Sequence, residues 1–266
     1  MEGSSENRRG ASEANGCMTF TLHNADCIEV LPTIPDGSVD AVITDPPYGV
    51  HAMDWDSVIP HDFMWRELER IVKPNGNIVL FGMGLFAFKL ALSNEKLFRY
   101  DLVWKKSKCG SPLTAKYMPM KKHELVLVFG HGAAKYNPQL EDGVPYSRHF
   151  THHKTNNLKL GIKGVEEENG GWRFPPSVLD FPQKWRRQDQ LHPTQKPVEL
   201  MEWLVRSYTD EGDTVLDFTM GSGSTGVACV RANRNFIGIE KDAGYYGIAK
   251  SRMERQKASG TQMALW

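Results

Sequence analysis

Val215-Leu216-Asp217-Phe218-Thr219-Met220-Gly221-Ser222-Gly223-Ser224-Thr225-Gly226 reads as a short buried strand, a tight glycine turn and the start of a helix. Gly221, Gly223 and Gly226 stand in the spacing G-x-G-x-x-G, and Glu240 follows Gly221 at the end of the next apolar run, Phe236-Ile-Gly-Ile239. Glycines in this setting let the backbone approach a ligand at a helix N-terminus, and an acid at that distance can bind the two hydroxyls of a ribose. Both NAD and S-adenosylmethionine contain such a ribose. Two features separate them. Too little chain follows Glu240 for the further βα units of a dinucleotide fold, so the missing strands have to come from upstream in a circularly permuted sheet. Asp217, at the strand end just before the glycines, suits the amino group and sulfonium of S-adenosylmethionine better than a pyrophosphate.

Upstream, Val39-Asp-Ala-Val-Ile43 is an apolar run of strand length that ends at Thr44-Asp45-Pro46-Pro47-Tyr48, where two prolines terminate the strand. This corner therefore lies at a strand's carboxyl end, the side on which open α/β sheets bind ligands. Further strands are predicted near 19–23, 76–82, 99–104, 123–129, 213–217 and 235–239. Helices are predicted over 28–31, 61–72, 85–92, 197–208 and 224–231, with a final helix after the strand at 235–239 to about Arg255. Buried strands alternating with amphipathic helices mean an α/β protein, with seven strands in one largely parallel sheet. The strand holding Asp217 should lie directly beside the one ending at Asp45, because both motifs must share one pocket.

The 266 residues, 40% of them hydrophobic and 24% charged, are ample for one large buried core. No stretch approaches the roughly 20 apolar residues of a membrane span, and no signal-like segment is visible. Cys17, Cys27, Cys109 and Cys229 are far apart, which argues against a disulfide scaffold or a cysteine zinc site and for a cytoplasmic location. The zero net charge hides an asymmetry: residues 100–196 hold 16 basic against 9 acidic residues, and the rest of the chain 16 against 23. A basic segment on an acidic protein is the footprint of a surface that meets a polyanion. Within it, residues 131–190 lose all periodicity and are read as a functional insertion. The organisation expected is a disordered leader over 1–17, a catalytic half over 18–130, the insertion over 131–190, a cofactor half over 191–256 and a tail over 257–266. Lys105, Lys121, Lys122, Arg173, Arg186 and Arg187 are the candidates for DNA contact. His149, His152 and His153 match no closed metal site, so no metal is expected. Trp172 and Trp185 are read as small-core anchors of the insertion.

Together the motifs resemble the permuted, β-class DNA amino-methyltransferases. Asp45-Pro-Pro-Tyr48 is similar to the family's catalytic motif, which precedes its target-recognition region. Asn24-Ala-Asp26-Cys27 resembles its motif III, His192-Pro-Thr-Gln-Lys-Pro197 its motif X, and the glycine loop its cofactor motif near the C-terminus. The resemblance covers about residues 18–255. In one place the chain departs: the family usually has Asp-Pro-Phe-Met-Gly-Ser-Gly, whereas here Phe218 stands one position earlier and Thr219 takes the aromatic's place.

The resemblance implies a circularly permuted Rossmann-like methyltransferase fold with an inserted target-recognition region, S-adenosylmethionine as cofactor and double-stranded DNA as substrate. It implies that Asp26 and Cys27 meet the cofactor's adenine, Glu240 its ribose and Asp217 its amino-acid end, with Thr194 and Lys196 close by. Phe218, Gly221, Gly223, Ser224 and Thr225 of the loop join them. Asp45 and Pro46 would hold the target amino group, and Tyr48 would stack on a flipped base. Adenine N6 is the expected acceptor, since the cytosine-N4 enzymes more often carry Ser at the position of Asp45. No Pro-Cys dipeptide exists for cytosine-C5 chemistry. A homodimer and a cognate restriction endonuclease are left open as partners. The competing classes are an NAD-dependent oxidoreductase using the same glycine loop and a non-catalytic nucleic-acid-binding module.

Overall fold

The computed structural model describes residues 18–49, 58–110, 112–149, 166–183, 191 and 195–263. Twelve strands and six α-helices lie among them. In chain order they are β1 (Phe20–His23), α1 (Cys27–Val30), β2 (Val39–Thr44), α2 (His61–Ile71), β3 (Val72–Gly82), α3 (Leu85–Leu92), β4 (Phe98–Lys105) and β5 (His123–Gly130). Then follow β6 (Glu141–Asp142), β7 (Tyr146–His149), β8 (Glu166–Asn169), β9 (Trp172–Arg173), β10 (Val178–Leu179) and α4 (Val198–Tyr208). The chain ends with β11 (Thr214–Asp217), α5 (Ser224–Arg231), β12 (Asn235–Ile239) and α6 (Ala243–Met263).

One mixed sheet organises the molecule, in the order β1-β12-β11-β2-β3-β5-β4-β10. All seven expected strands are in it. β11 lies parallel to both β12 and β2, so the strands ending at Asp217 and at Thr44 are neighbours, as required. β5 runs antiparallel between β3 and β4. Chain order and sheet order disagree because β11 and β12 sit between β1 and β2, the permutation that the position of the glycine loop implied.

Strand residues alternate between two cores, as a sheet covered on both faces demands. Ala41, Ile43, Val79, Phe81, Val126, Val128 and Val215 pack with α4, α5 and α6. Val42, Ile78, Leu80, Leu127, Phe129 and Leu216 pack with α1, α2 and α3. Because one strand feeds both faces, its residues are nearly all apolar, which is why these segments read as unbroken hydrophobic runs.

Three expectations need correction. Residues 131–190, read as without periodicity and given no strand, carry short ones: β6 pairs with β9 and β7 with β8, both antiparallel. The segment also returns to the main sheet as an eighth strand, β10 against β4, with the Val103 amide donating to the Ser177 carbonyl and Trp104 Nε1 to the Phe181 carbonyl. Strands of two residues carry no alternation to detect. The last helix runs past Arg255 to Met263, into the expected tail. Trp172 does not anchor a small core, being 56% exposed. The expected leader, Trp185, His152 and His153 lie outside the described residues.

Candidate active site

The carboxyl ends of β2 and β11 open into a pocket of about 280 Å³. Asp26, Cys27, Asp45, Pro46, Tyr48, Lys196, Asp217, Phe218, Gly221, Ser224, Thr225 and Glu240 all line it. Residues from five separate stretches of sequence thus meet: four loops leave the carboxyl ends of β1, β2, β11 and β12, and Lys196 joins them just before α4. Gly223 is the exception. At φ +78° it occupies the left-handed region, and a Cβ there would lie 2.8 Å from the Ala249 Cβ, so it serves the turn and the packing of α6 rather than the pocket wall. Thr194, Arg186 and Arg187 lie outside the described residues.

Asp217 sits at the end of β11, only 4% exposed. Its Oδ1 accepts from the Thr44 hydroxyl at 2.7 Å and the Thr219 amide at 3.2 Å, and its Oδ2 from the Thr225 hydroxyl at 2.6 Å. Burial pushes its carboxyl up to about 6 even against these donors. A buried carboxylate of this kind gains from a cationic or amino-bearing ligand. Glu240 holds the glycine turn in place: its Oε2 accepts from the Gly221 amide at 2.9 Å and its Oε1 from the Asp242 amide at 2.8 Å. Asp26 caps α1 by accepting from the Ile28 amide at 2.9 Å. Thr219, in the family's aromatic position, makes polar links instead. Its hydroxyl lies 2.7 Å from that of Thr44 and donates to the Asp45 carbonyl at 3.1 Å, tying the two motif loops together.

A buried chain of charge reaches Asp45 from the sheet. The Lys196 ammonium pairs with Asp45 Oδ2 and lies 3.2 Å from Glu124 Oε2, while Glu124 Oε1 accepts from Lys106. The Tyr48 hydroxyl donates to Asp45 Oδ1 at 2.5 Å. Burial pushes the Asp45 carboxyl up, with Lys196 opposing the shift and Glu124 adding to it. Burial acts downward on Lys196, but Asp45 and Glu124 outweigh it and hold the ammonium protonated. Lys196 thus points its charge at Asp45 rather than only at the cofactor's amino-acid end. Glu124, Thr44 and Thr219 were not among the expected site residues, and Lys106 was read only as one of the basic residues of the central segment. The signal for Glu124 was a lone acid opening the apolar run Leu125–Phe129.

The expected DNA-contact residues differ in their engagement. Lys105 pairs with Asp180 at 2.6 Å. Arg173 donates to Asn169 Oδ1 at 2.7 Å and to the Val144 carbonyl, and its guanidinium stacks 4.5 Å from the Tyr146 ring centre, so it clasps its own segment. Lys121 and Lys122 are exposed. The Lys121 ammonium lies over Gly84, next to the pocket residue Met83. Among the described residues no group of three or more His, Cys, Asp or Glu could hold a metal, and no helix is long and apolar enough to cross a membrane.

Comparison with known proteins decides the family. A DNA methylase family model covering N6 and N4 enzymes matches residues 39–251. The chain belongs to that family. A type II methyltransferase of Lactococcus lactis subsp. cremoris, M2.LlaDCHI, is 29% identical to this methylase over 265 residues, covering 90% of this chain and 91% of that protein. The crystal structure of an M1.HpyAVI–SAM complex superposes with TM-score 0.60 at 25% identity, over 88% of this chain and 99% of the other. The cytosine-N4-specific PvuII DNA methyltransferase shares the fold, with TM-score 0.64 at 19% identity over 91% and 92% of the two chains. This methylase is therefore an S-adenosylmethionine-dependent DNA methyltransferase, and the oxidoreductase alternative falls. The pocket fits the cofactor. Phe218, Cys27 and Ile239 offer apolar walls, and the Ser224 hydroxyl at the start of α5 is buried beside the pocket with no hydrogen-bond partner.

Proposed function

We propose that this methylase transfers a methyl group to the N6 amino group of an adenine turned out of a specific duplex DNA site. The observation that carries the reading is the position of Asp45 and Pro46 at the carboxyl end of β2, on the same pocket as Asp217 and the glycine turn. An exocyclic amino nitrogen is a poor nucleophile because its lone pair is delocalised into the ring. The Asp45 carboxylate and the Pro46 carbonyl can each accept one amino hydrogen, which favours a pyramidal nitrogen with its lone pair free. S-adenosylmethionine supplies the electrophilic methyl. The chain's contribution is positioning and electrostatic preorganisation, without a covalent intermediate. Tyr48, held 4.8 Å from Phe86 between ring centres, offers an aromatic face for the flipped base.

Asp at position 45 supports adenine over cytosine, since a carboxylate accepts amino hydrogens more strongly than the serine common in N4 enzymes. For DNA, the exposed Lys121 and Lys122 suit phosphate, as does Lys105 at the end of β4, and Arg173, Arg186 and Arg187 belong to the insertion read as the target-recognition region. The type II names of the relatives extend the reading to protection of DNA from a cognate restriction endonuclease. Incubating unmethylated plasmid with the protein and S-adenosylmethionine, then digesting to nucleosides for mass spectrometry, tests the acceptor. N6-methyladenine is expected. N4-methylcytosine in its place would move the target to cytosine.

A further inference from the structure

Lys196 and Glu124 carry more than a static ion pair. The Lys196 side chain is 8% exposed and bridges two carboxylates, Asp45 from the end of β2 and Glu124 from β5. The two contacts differ. At Asp45 the ammonium makes a direct hydrogen-bonded pair, whereas Glu124 Oε2, though only 3.2 Å away, is buried without a well-directed hydrogen bond. Each Asp45 oxygen already accepts one donor, Oδ2 from Lys196 and Oδ1 from the Tyr48 hydroxyl. Each keeps a second lone pair, so a target amino group arriving here shares its acceptor oxygen with one of those donors.

We propose that Lys196 is a placeholder for the target amino group: it occupies Asp45 until a base arrives, then passes to the waiting Glu124 oxygen, making Glu124 a positioning residue for methyl transfer. The inference rests on the reading that Asp45 accepts an amino hydrogen. Two physical reasons support the exchange. As the methyl group transfers, positive charge develops on the amino nitrogen, and an ammonium on the same carboxylate oxygen opposes it. Sending that ammonium to Glu124 leaves the Asp45 charge facing the reacting nitrogen, and the short path means no buried charge is left unpaired on the way. Lys196 and, next, Lys106 on Oε1 hold the Glu124 carboxyl low against its burial, and Lys106 leaves Oε2 to Lys196. The groups facing Asp45 are then Lys196, Glu124 across from it, Tyr48 on its own turn and Asp217 on β11.

A double-mutant cycle tests this, using the full chain, unmethylated plasmid and tritiated S-adenosylmethionine in single-turnover assays. Glu124→Gln strands Lys196 on Asp45, so the transfer rate should fall at least tenfold while cofactor affinity by calorimetry stays within twofold. In a Lys196→Met background there is nothing to move, so adding Glu124→Gln should cost less than threefold. Lys196→Met alone should shift the acid limb of the pH–rate profile to higher pH, since Asp45 loses the cation that helps keep it ionised. If Glu124→Gln costs the same with and without Lys196, or costs nothing in the wild type, the placeholder role is wrong. Thermal melts establish that each variant is folded, and Lys196→Gln replaces Lys196→Met in the cycle should the latter not fold. Asp45→Asn separates the two levels. If it is inactive while the cycle shows no coupling, only the placeholder falls, whereas a fully active Asp45→Asn overturns the role of Asp45 itself.

Discussion

Asp217 is ionised at neutral pH against the pull of its own burial. An unfolded aspartate titrates near 3.8, and this one titrates at about 6. Between those values the folded protein binds more protons than the unfolded chain, so stability falls as pH rises from about 4 to about 6. Above that window the buried charge is a standing cost, which a cationic ligand would offset. Asp217→Asn keeps the shape and the acceptor for Thr44 or Thr225 without the charge. It should raise the stability of the ligand-free protein at pH 7.5 by about 1–3 kcal/mol, the cost of keeping so buried a carboxyl ionised, and flatten the pH dependence across the window. Cofactor affinity should drop at the same time. Urea unfolding at pH 4.5 and 7.5, with calorimetric titration of S-adenosylmethionine, measures both. A variant less stable than wild type at pH 7.5 would show that the hydrogen bonds, not burial, dominate this site.

At the level of elements, α5 is held close to β12 and α6 by the absence of side chains. A Cβ on Gly226 would meet Met253 Sδ at 2.2 Å and Phe236 Cε1 at 2.8 Å, and both partners are buried. One motif therefore combines two physical roles: Gly221 donates its amide to Glu240 at the pocket, while Gly223 and Gly226 let helices approach. Gly226→Ala should destabilise the protein by about 1–3 kcal/mol through overpacking. Because α5 opens at the pocket with Ser224 and Thr225, it should also weaken cofactor binding. Thermal unfolding with and without cofactor checks this, and an unchanged melting temperature would mean that Met253 simply moves aside.

Over the whole molecule, the zero net charge is divided between a basic central stretch and an acidic remainder. Acids from outside the stretch neutralise part of that basic excess: Lys135 pairs with Asp210 and Asp213, and Lys196 with Asp45. Lys121 and Lys122 keep exposed charge, with the Lys121 ammonium beside Gly84. Replacing both with Ala should weaken DNA binding for all sequences alike and lower the slope of log affinity against log salt by about 2, because each lysine that neutralises a phosphate releases about one counterion. Cofactor affinity should not change. Fluorescence anisotropy with a labelled duplex at several salt concentrations checks the slope, and an unaltered slope would remove both lysines from the phosphate surface.

The linear sequence determined the repeating parts of this protein and the motifs bound to them. Apolar runs such as Val39–Ile43 and Phe236–Ile239 announce buried strands because a sheet covered on both faces leaves no position for water. Asp45 and Asp217 were legible as site residues because each ends such a run and is followed by prolines or glycines that cannot continue it. The permuted order was legible too, because the corner Asp45–Tyr48 stands upstream of the glycine loop in the chain. What only the tertiary structure decided are the pairings between residues distant in sequence: Thr219 bridging Thr44 and the Asp45 carbonyl, Glu124 and Lys196 meeting behind Asp45, and β10 closing the sheet edge on β4. None of these has a local signature, since a two-residue strand has no period and a single acid in an apolar strand has no visible partner. Their partners are chosen by which loops emerge at the same end of the sheet, and strand order is set by the packing of the whole chain.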